Sequence, residues 1–357
     1  MPKKIAFLAD CLVTQKAGIH FYTHQFIKRA IEDYPQNQYF IILEKPYGQF
    51  EATEIIVPTN KSLPFHFRLR SFTSIPKAVN KLNPDVVIEM AHFGPFRLNP
   101  KIKRVTVIYD LTPILFPKWH NSMSYWIHKL FLPGIIKKSN KIICISKKTQ
   151  TDLIKLYPHA ENKTLVSYPF VNPKVFIETK KTIHPHAFFL SVGTIEPRKN
   201  YLTLVKAFEI FAATNENFDL IIIGYYGWKS NTLLNYIKAS PYRDRIILKG
   251  YVSKSDLRHY YRQCMTFIYP THYEGFGLPL LEAFHFNKPI LASDIDICRE
   301  VCQDAAIYFS KDQHQDLANK MQNITHDKVT QNRLAKATKT RLAYFTNLKL
   351  GLQEIFE

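Results

Sequence analysis

Glu274-Gly-Phe-Gly-Leu-Pro-Leu-Leu-Glu282 is the stretch on which the fold prediction rests, because it joins a strand ending at Tyr269 to a helix predicted over Leu278–Phe286. Its two glutamates stand eight positions apart. At a helical rise of about 1.5 Å per residue the carboxylates would lie roughly 12 Å apart. A carboxylate pair that hydrolyses one glycosidic bond is only about 5 to 9.5 Å apart, so this spacing suits the two ends of an elongated ligand instead.

The glycines between the two glutamates flank a helix start, where backbone N–H groups point outward and attract phosphate. A sugar at one acid, a ribose at the other and a diphosphate between them describes a nucleotide-sugar. The residues of this stretch therefore predict that class of ligand.

Outward from this stretch, short strands rich in Ile, Val and Phe alternate with helices along the chain. Nearly continuous apolar strands separated by helices indicate parallel sheets covered on both faces. The predicted fold class is α/β, with two Rossmann-like, doubly wound parallel-sheet domains facing each other across a cleft. In such sheets ligands bind beyond the carboxyl ends of the strands. The segment Val171–His186, with two prolines and no clear period, is the predicted linker and hinge.

Composition limits the function classes. The 357 residues carry a formal net charge of +19, and residues 1–180 alone hold 26 Lys and Arg against 12 Asp and Glu, a net charge of +14. A basic half attracts an anionic partner, such as an acidic lipid, a phosphorylated acceptor or nucleic acid. A nucleic-acid-binding function is disfavoured, because it leaves the spaced glutamates unexplained. The alternative to any anionic partner is a soluble protein whose surface is simply basic.

The sequence contains no run of 18 apolar residues, and its basic N-terminus reads as a first strand, not a signal peptide. The five cysteines are odd in number and scattered, which is typical of reduced thiols in the cytosol. The predicted location is cytoplasmic. The basic, aromatic-rich segments His66–Lys81 and Trp126–Lys141 suggest peripheral attachment to the inner membrane face, with a partly buried helix as the alternative.

A second motif, Ser191-Val-Gly-Thr-Ile-Glu-Pro-Arg198-Lys199-Asn200, lies between a predicted strand and a helix. Adjacent cations there neutralise a diphosphate and stabilise the charge that develops as it leaves. An ordinary basic pair in a surface loop is the alternative interpretation.

Two candidates in the first half are weaker. Gly18, in Ala17-Gly18-Ile19, would let the backbone approach a ligand closely at a helix start, although a simple turn explains it equally well. Asp110 follows a strand and could orient a sugar hydroxyl, with capping of the next turn as the alternative. The Asp294-Ile-Asp296 motif and the His20/His24 pair are predicted not to bind metal.

The second half resembles the retaining GT-B glycosyltransferases of family 4 throughout, and the first half resembles them more loosely. The motifs that carry the resemblance are Ser191-Val-Gly-Thr…Pro-Arg-Lys-Asn200, Ile223-Gly224, Gly250-Tyr-Val-Ser, Tyr269-Pro-Thr…Glu-Gly-Phe-Gly-Leu-Pro-Leu-Leu-Glu282 and Pro289-Ile-Leu-Ala-Ser.

The resemblance implies an acceptor-side domain over residues 1–175, a nucleotide-sugar domain over 176–340, and a C-terminal helix over 341–357 that crosses back. It implies donor contacts from Gly18, Gly193, Arg198, Lys199, Tyr251, Val252, Glu274, Gly275, Phe276, Gly277, Leu278 and Glu282. Of these, Arg198 and Lys199 would bind the diphosphate, Glu274 the sugar and Glu282 the ribose. No metal or other cofactor is expected, because cations and the helix start supply the positive potential.

One departure from the family pattern concerns Tyr109, which stands where many relatives carry a histidine that positions the donor sugar; Tyr109 and Asp110 are its candidate substitutes. The predicted reaction is transfer of a sugar, with retention, from a nucleotide diphosphate to a glycan or lipid-linked glycan acceptor in cell-surface polysaccharide synthesis. A nucleotide-sugar epimerase, or another enzyme of the same architecture, is the alternative. The sequence leaves open the donor, acceptor, linkage and oligomeric state.

Overall fold

Parallel strands build two sheets, each in its own unit. The computed structural model describes residues 1–14, 18–59, 66–94, 96–170 and 182–356. Unit 1 comprises Met1–Phe170 together with Leu348–Glu357, and unit 2 comprises Val171–Asn347.

Unit 1 contains a seven-stranded sheet in the order β3-β2-β1-β4-β5-β6-β7, with each neighbouring pair parallel. The strands are β1 Lys4–Leu8, β2 Gln38–Leu43, β3 Thr53–Ile56, β4 Val86–Glu89, β5 Lys103–Ile108, β6 Lys141–Cys144 and β7 Thr164–Val166. The central strand β4 is buried at every position, since helices cover both faces of such a sheet.

Helices connect these strands: α1 Cys11–Thr14, α2 Gly18–Asp33, α3 His66–Phe72, α4 Ser74–Leu82, α5 Thr112–Leu115, α6 Ser122–Lys138 and α7 Lys147–Leu156. Side-chain caps begin two of them. Asn121 accepts a bond from the Ser124 amide at the start of α6, and Ser146 accepts one from the Thr149 amide at the start of α7.

Unit 2 contains a six-stranded sheet in the order β10-β9-β8-β11-β12-β13, also with each neighbouring pair parallel. Its strands are β8 Ala187–Val192, β9 Phe218–Ile223, β10 Ile246–Gly250, β11 Thr266–Tyr269, β12 Ile290–Ser293 and β13 Ile307–Phe309. Its helices are α8 Tyr201–Ala212, α9 Asn231–Ala239, α10 Lys254–Gln263, α11 Leu278–His285, α12 Asp296–Cys302, α13 His314–His326 and α14 Lys328–Thr346.

Both sheets have the doubly wound order 3-2-1-4-5-6, to which unit 1 adds a seventh strand at the edge. In this topology the strand order reverses between the first and fourth strands, and ligands bind beyond the carboxyl ends of the strands at that point. The reversal falls between β1 and β4 in unit 1, and between β8 and β11 in unit 2.

The expected linker and the expected C-terminal helix compare with the structure as follows. Most of the expected linker Val171–His186, and Ala17 beside Gly18, lie outside the described residues. The single helix expected over residues 341–357 is not observed. Instead, α14 runs to Thr346, and a short helix, α15 Gln353–Phe356, follows. Gly351 lies between them with a φ of +61°, a conformation that interrupts a right-handed helix.

No helix in the described ranges has the length and apolar character needed to span a bilayer.

The five cysteines are described, buried and outside any disulfide.

Candidate active site

Two loops of unit 2 meet at the reversal of strand order. One follows β8 and carries residues 193–200, and the other follows β11 and carries residues 270–277. Hydrogen bonds tie the loops together at the Arg198 carbonyl, which accepts from the His272 amide at 2.9 Å and from the Thr271 hydroxyl at 3.1 Å. The stretch with the spaced glutamates and the motif with the adjacent cations are thus parts of one site.

Glycines allow the first loop to pack closely. Gly193 has a φ of +153°, and a Cβ there would lie 3.1 Å from the Tyr201 hydroxyl and 3.2 Å from Lys199 Cε. Gly224, directly after β9, packs its backbone on Gly193; a Cβ on it would lie 2.0 Å from the Gly193 carbonyl oxygen. The backbone of the β8 loop therefore has a fixed position that larger residues would disturb.

A buried cluster of four charges forms the centre of the site. Glu274 accepts hydrogen bonds from Lys199 Nζ at 2.6 Å and from Arg198 Nη1 at 2.5 Å, and Thr271 donates to it at 2.9 Å. Glu196 binds the other side of Arg198, accepting from Nη2 at 2.6 Å and Nε at 3.0 Å. Two cations and two carboxylates give the cluster no net charge.

The cations set the ionisation of the cluster. Burial raises the pKa of Glu274, but Arg198 and Lys199 more than reverse this, so that its pKa falls to about 2. Glu196 differs, because burial outweighs the effect of Arg198 and Lys199 and raises its pKa. Glu274 is therefore a permanent anion at neutral pH.

In the structure the Arg198 side chain contacts three other residues of the site. Its guanidinium donates to Glu196, to Glu274 and, at 3.1 Å, to the Tyr273 carbonyl. These contacts hold the two loops in register. Lys199 is better suited to a ligand, since its ammonium carries three donors and directs one at Glu274. The ammonium also lies 5.4 Å from the centre of the Tyr269 ring.

The helix start after Glu274 is built as the sequence predicts, since α11 begins at Leu278. Gly277 has a φ of +108°, and Pro279 occupies the first turn, where a missing N–H costs nothing. The side chain of Phe276 is buried against Phe345 of α14, with ring centroids 5.6 Å apart. Phe276 thus offers a ligand its backbone and not its ring.

The predicted 12 Å spacing of the two glutamates was wrong in its premise. Glu274 precedes α11, so the helical rise applies only from Leu278 to Glu282, about 6 Å. Glu282 is half-buried and accepts a hydrogen bond from the Tyr261 hydroxyl at 2.7 Å. Burial raises the pKa of Glu282, in contrast with Glu274.

An aromatic pair lies after β9 and β10. Tyr251 is 62% exposed and stacks on Tyr225, which is equally exposed, with ring centroids 5.1 Å apart and planes 16° apart. The Gly224 amide bonds to the Gly250 carbonyl at 2.9 Å and brings the two loops together. Val252 follows Tyr251 and is half-buried. Flat, exposed rings of this kind suit stacking on a nucleobase.

Gly18 and Asp110 belong to unit 1 and are not part of this cluster. Gly18 is exposed and begins α2. Asp110 accepts bonds from the amide and hydroxyl of Thr112 at 2.9 and 2.6 Å, which is the capping role left open beside the sugar-binding one. Tyr109 is 7% exposed, and its hydroxyl bonds to the Met90 carbonyl and Thr23, so it does not present a polar group as a histidine substitute would.

A buried acid in unit 1 was not predicted. Glu89 ends β4 at the reversal of that sheet, is 5% exposed, and accepts a hydrogen bond from the Ala91 amide at 2.8 Å. Burial raises the pKa of Glu89 to about 8 despite the nearby Arg104, so it is largely a neutral acid at pH 7. Only its position at a strand end, like that of Asp110, signalled it in the sequence.

The sequence analysis gave no role to four partners in unit 2, namely Glu196, Thr271, Gly224 and Tyr225. Glu196, Thr271 and Gly224 lie inside quoted motifs, and the proximity of the first two to Arg198 and Glu274 was a usable signal. The stacking of Tyr225 on Tyr251 depends on strands β9 and β10 being neighbours, which the sequence does not state.

Two family models match the chain. Residues 9–175 match the model described as Glycosyltransferase Family 4, and residues 176–341 match Glycosyl transferases group 1. Among curated relatives, the O-antigen chain mannosyltransferase B of Escherichia coli is 28% identical over 229 residues, covering 60% of each protein. The alignment thus spans about three fifths of that relative.

Solved structures share the fold over nearly the whole chain. A glycosyltransferase from Rickettsia africae has a TM-score of 0.71 at 16% identity, covering 99% of this chain and 97% of its own. HepE from Anabaena, in complex with UDP-glucose, has a TM-score of 0.71 at 14% identity, covering 96% and 95%. With two doubly wound parallel sheets and both family models matched in order, the chain has the GT-B fold and belongs to glycosyltransferase family 4.

Proposed function

We propose that this protein transfers a hexose from a nucleotide diphosphate sugar to a hydroxyl of a glycan acceptor, with retention at the anomeric carbon, in cell-surface polysaccharide synthesis. The observation that carries the proposal is the buried Glu274–Lys199–Arg198 cluster between the loops after β8 and β11. Family membership supports sugar transfer. The E. coli relative is an O-antigen chain mannosyltransferase, which favours mannose as the sugar.

Each part of the site has a role in this proposal. Lys199, held by Glu274, directs its remaining donors at the diphosphate and stabilises the charge that develops as it leaves. Arg198 positions the two loops. Tyr251 and Tyr225 stack on the base, and Glu282 accepts from the ribose hydroxyls. The leaving phosphate accepts the proton of the attacking acceptor hydroxyl, so no protein base or metal is required.

A thermal-shift screen with nucleoside diphosphates and their sugars tests donor binding. A true donor at 100 times its dissociation constant is expected to stabilise the fold by about 2.7 kcal/mol.

With that donor, Lys199→Ala is expected to lower transfer by about 100- to 1,000-fold, because a preorganised cation at the leaving group is lost. Glu282→Ala is expected to raise KM chiefly, since ribose binding is shared by the ground and transition states.

Lys336→Ala, which removes an exposed lysine from α14, is the matched control and should leave transfer unchanged. NMR of the product reports the anomeric configuration. An inverted product would refute retention. Conversion of the donor without acceptor would indicate an epimerase, and stabilisation by none of the nucleotides would refute the donor assignment.

A lipid-linked acceptor and peripheral attachment to the inner face of the cytoplasmic membrane form the second part of the proposal. On α6, Met123, Trp126 and Leu130 are 54%, 59% and 71% exposed, and their spacing of three and four residues places them on one helix face. Lys129 lies 5.1 Å from the Trp126 ring centre. An apolar stripe with cations, in the more basic half of the chain, suits an anionic lipid surface.

Co-sedimentation with vesicles tests this attachment. Binding is expected to phosphatidylglycerol vesicles and not to phosphatidylcholine vesicles, and to weaken as salt rises. Replacing Trp126 and Leu130 together with Ser should abolish it, whereas Val329→Ser, at an 81% exposed position of α14, should not. Equal binding by both variants would contradict a role for α6.

A further inference from the structure

Two histidines and an aspartate converge at the amino-terminal edge of the unit 2 sheet. His184 and His186 precede β8, and a bend at residues 185 and 186 accompanies the contact of both rings with Asp219. Phe188 is paired in register with Asp219 of β9, so Asp219 faces the same side from the neighbouring strand. The sheet thus brings three side chains with metal-binding atoms to one point.

The three donor atoms lie close together. His184 Nε2 is 2.6 Å from Asp219 Oδ2, and His186 Nδ1 is 2.9 Å from the same oxygen. All three atoms lie within 4.8 Å of one another. The Asp219 side chain is 5% exposed, that of His184 11% and that of His186 53%. Two ligands are therefore held by packing, while the third closes the site from the solvent side.

Neighbouring side chains limit how the rings can move. The His184 ring packs edge-to-face on Phe188, with centroids 5.5 Å apart, and on His186 at 5.9 Å. Arg245 Nε lies 3.9 Å from the other oxygen of Asp219, and Arg245 also donates to the Phe218 carbonyl at 2.9 Å. The Arg245 guanidinium fixes the orientation of Asp219 and leaves Oδ2 for the histidines.

We propose that His184, His186 and Asp219 bind a zinc ion, with water in the fourth position. Two imidazoles and a carboxylate form a ligand set typical of zinc. Tetrahedral bonds of about 2.1 Å separate the ligand atoms by about 3.4 Å, so the imidazole nitrogens need to move away from Asp219 Oδ2 by about 0.5 to 0.8 Å. Without metal, the same atoms form the hydrogen bonds described above.

The expected role of this ion is structural. The candidate active site lies after the carboxyl end of β8, and six residues of strand put the histidines about 20 Å from it. The ion would fasten the segment before β8 to β9, a segment that the Ile183 amide also anchors through Gln263 at 3.0 Å. This inference concerns a site separate from donor binding, so it stands or fails independently of the proposed function.

Metal content of the tag-free protein tests the proposal. After incubation with excess zinc chloride and dialysis, one zinc per chain is expected by mass spectrometry, together with a higher melting temperature than in the EDTA-treated protein. Cobalt(II) in place of zinc is expected to give the visible absorption of a tetrahedral site. Zinc affinity should fall at least about 100-fold in His186→Gln. Removing a group that only hydrogen-bonds to a metal ligand already lowers metal affinity about 10- to 100-fold, and loss of a ligand itself costs at least as much.

His186 is suitable for substitution because its exposed ring can be removed without emptying the core, and His184→Gln provides a second variant. His314→Gln, at an exposed position of α13 in the same unit, should bind zinc as the unsubstituted protein does. The proposal would be overturned if the unsubstituted protein retained no zinc, or if both ligand variants bound zinc as tightly as the unsubstituted protein; the three side chains would then be a hydrogen-bonded cluster.

Discussion

Replacing Glu274 with Ala is expected to lower the free energy of unfolding of unit 2 by about 3 to 5 kcal/mol, because the change leaves two buried cations without their shared partner. Arg198 and Lys199 side chains are only 16% and 11% exposed, so water cannot replace the carboxylate fully. Urea denaturation measures this loss. Sugar transfer should fall at least about 100-fold, since Lys199 loses the contact that positions it.

Acid titration distinguishes loss of the Glu274 charge from a packing defect as the cause of the lower stability. The pKa of Glu274 is depressed to about 2, so its ionic contribution is complete above the ordinary carboxyl pKa of 4.5 and is lost as pH falls towards 2. The difference in stability between the unsubstituted protein and Glu274→Gln should therefore be constant from pH 7 to 5 and shrink below that.

Asp294→Asn removes a carboxylate from the solvent-exposed pair with Arg299 and serves as the matched control, expected to leave the urea midpoint unchanged. A Glu274→Ala variant as stable as this control, or a difference that does not depend on pH, would contradict the account of the buried cluster.

The second large effect is expected from Gly224→Ala. A Cβ at this position would lie 2.0 Å from the Gly193 carbonyl oxygen and 2.6 Å from its carbon, and backbone cannot move aside as a flexible side chain can. Overpacking of this kind costs about 1 to 3 kcal/mol or more. A shift of about 1 Å in the loop that carries Lys199 should also lower transfer about 100-fold.

Gly134→Ala is its control, because a Cβ at Gly134 meets nothing within 4 Å and the residue lies inside α6. That variant should be as stable as the unsubstituted protein or gain up to about 1 kcal/mol. A melting temperature for Gly224→Ala within one degree of this control would show that the two loops do not pack as described.

The fold was largely predictable, because local pattern and topology agree. Continuous apolar strands between helices predicted parallel sheets, and the helix expected at Leu278–Phe286 runs from Leu278 to His285. One helix boundary was predicted wrongly. α14 ends at Thr346, and residues 347–352, which include Gly351 with its positive φ, separate it from α15; periodicity did not predict this break.

The candidate site was predictable in its residues but not in its internal contacts. Both motifs were identified in the sequence, but Arg198 and Glu274 were expected to contact different parts of one substrate. In the structure they bind each other, because the loops after β8 and β11 adjoin at the reversal of strand order. Similarly, the pairing of Phe188 with Asp219 brings two histidines to an aspartate 33 residues away from the nearer one. Register between strands is a tertiary property, which short-range spacing does not encode.

Unit 1 combines residues 1–170 with residues 348–357, so its two parts leave the ribosome at different times. Phe356 packs on Tyr34 with ring centroids 5.0 Å apart, and Glu354 pairs with Lys141 at 2.7 Å. These partners emerge only after residues 171–347 have been translated, which takes about 10 to 35 s at about 5 to 20 residues per second. During that interval the nascent polypeptide lacks the Phe356 ring that covers Tyr34, so chaperone protection of that surface would matter most until residues 348–356 have been made.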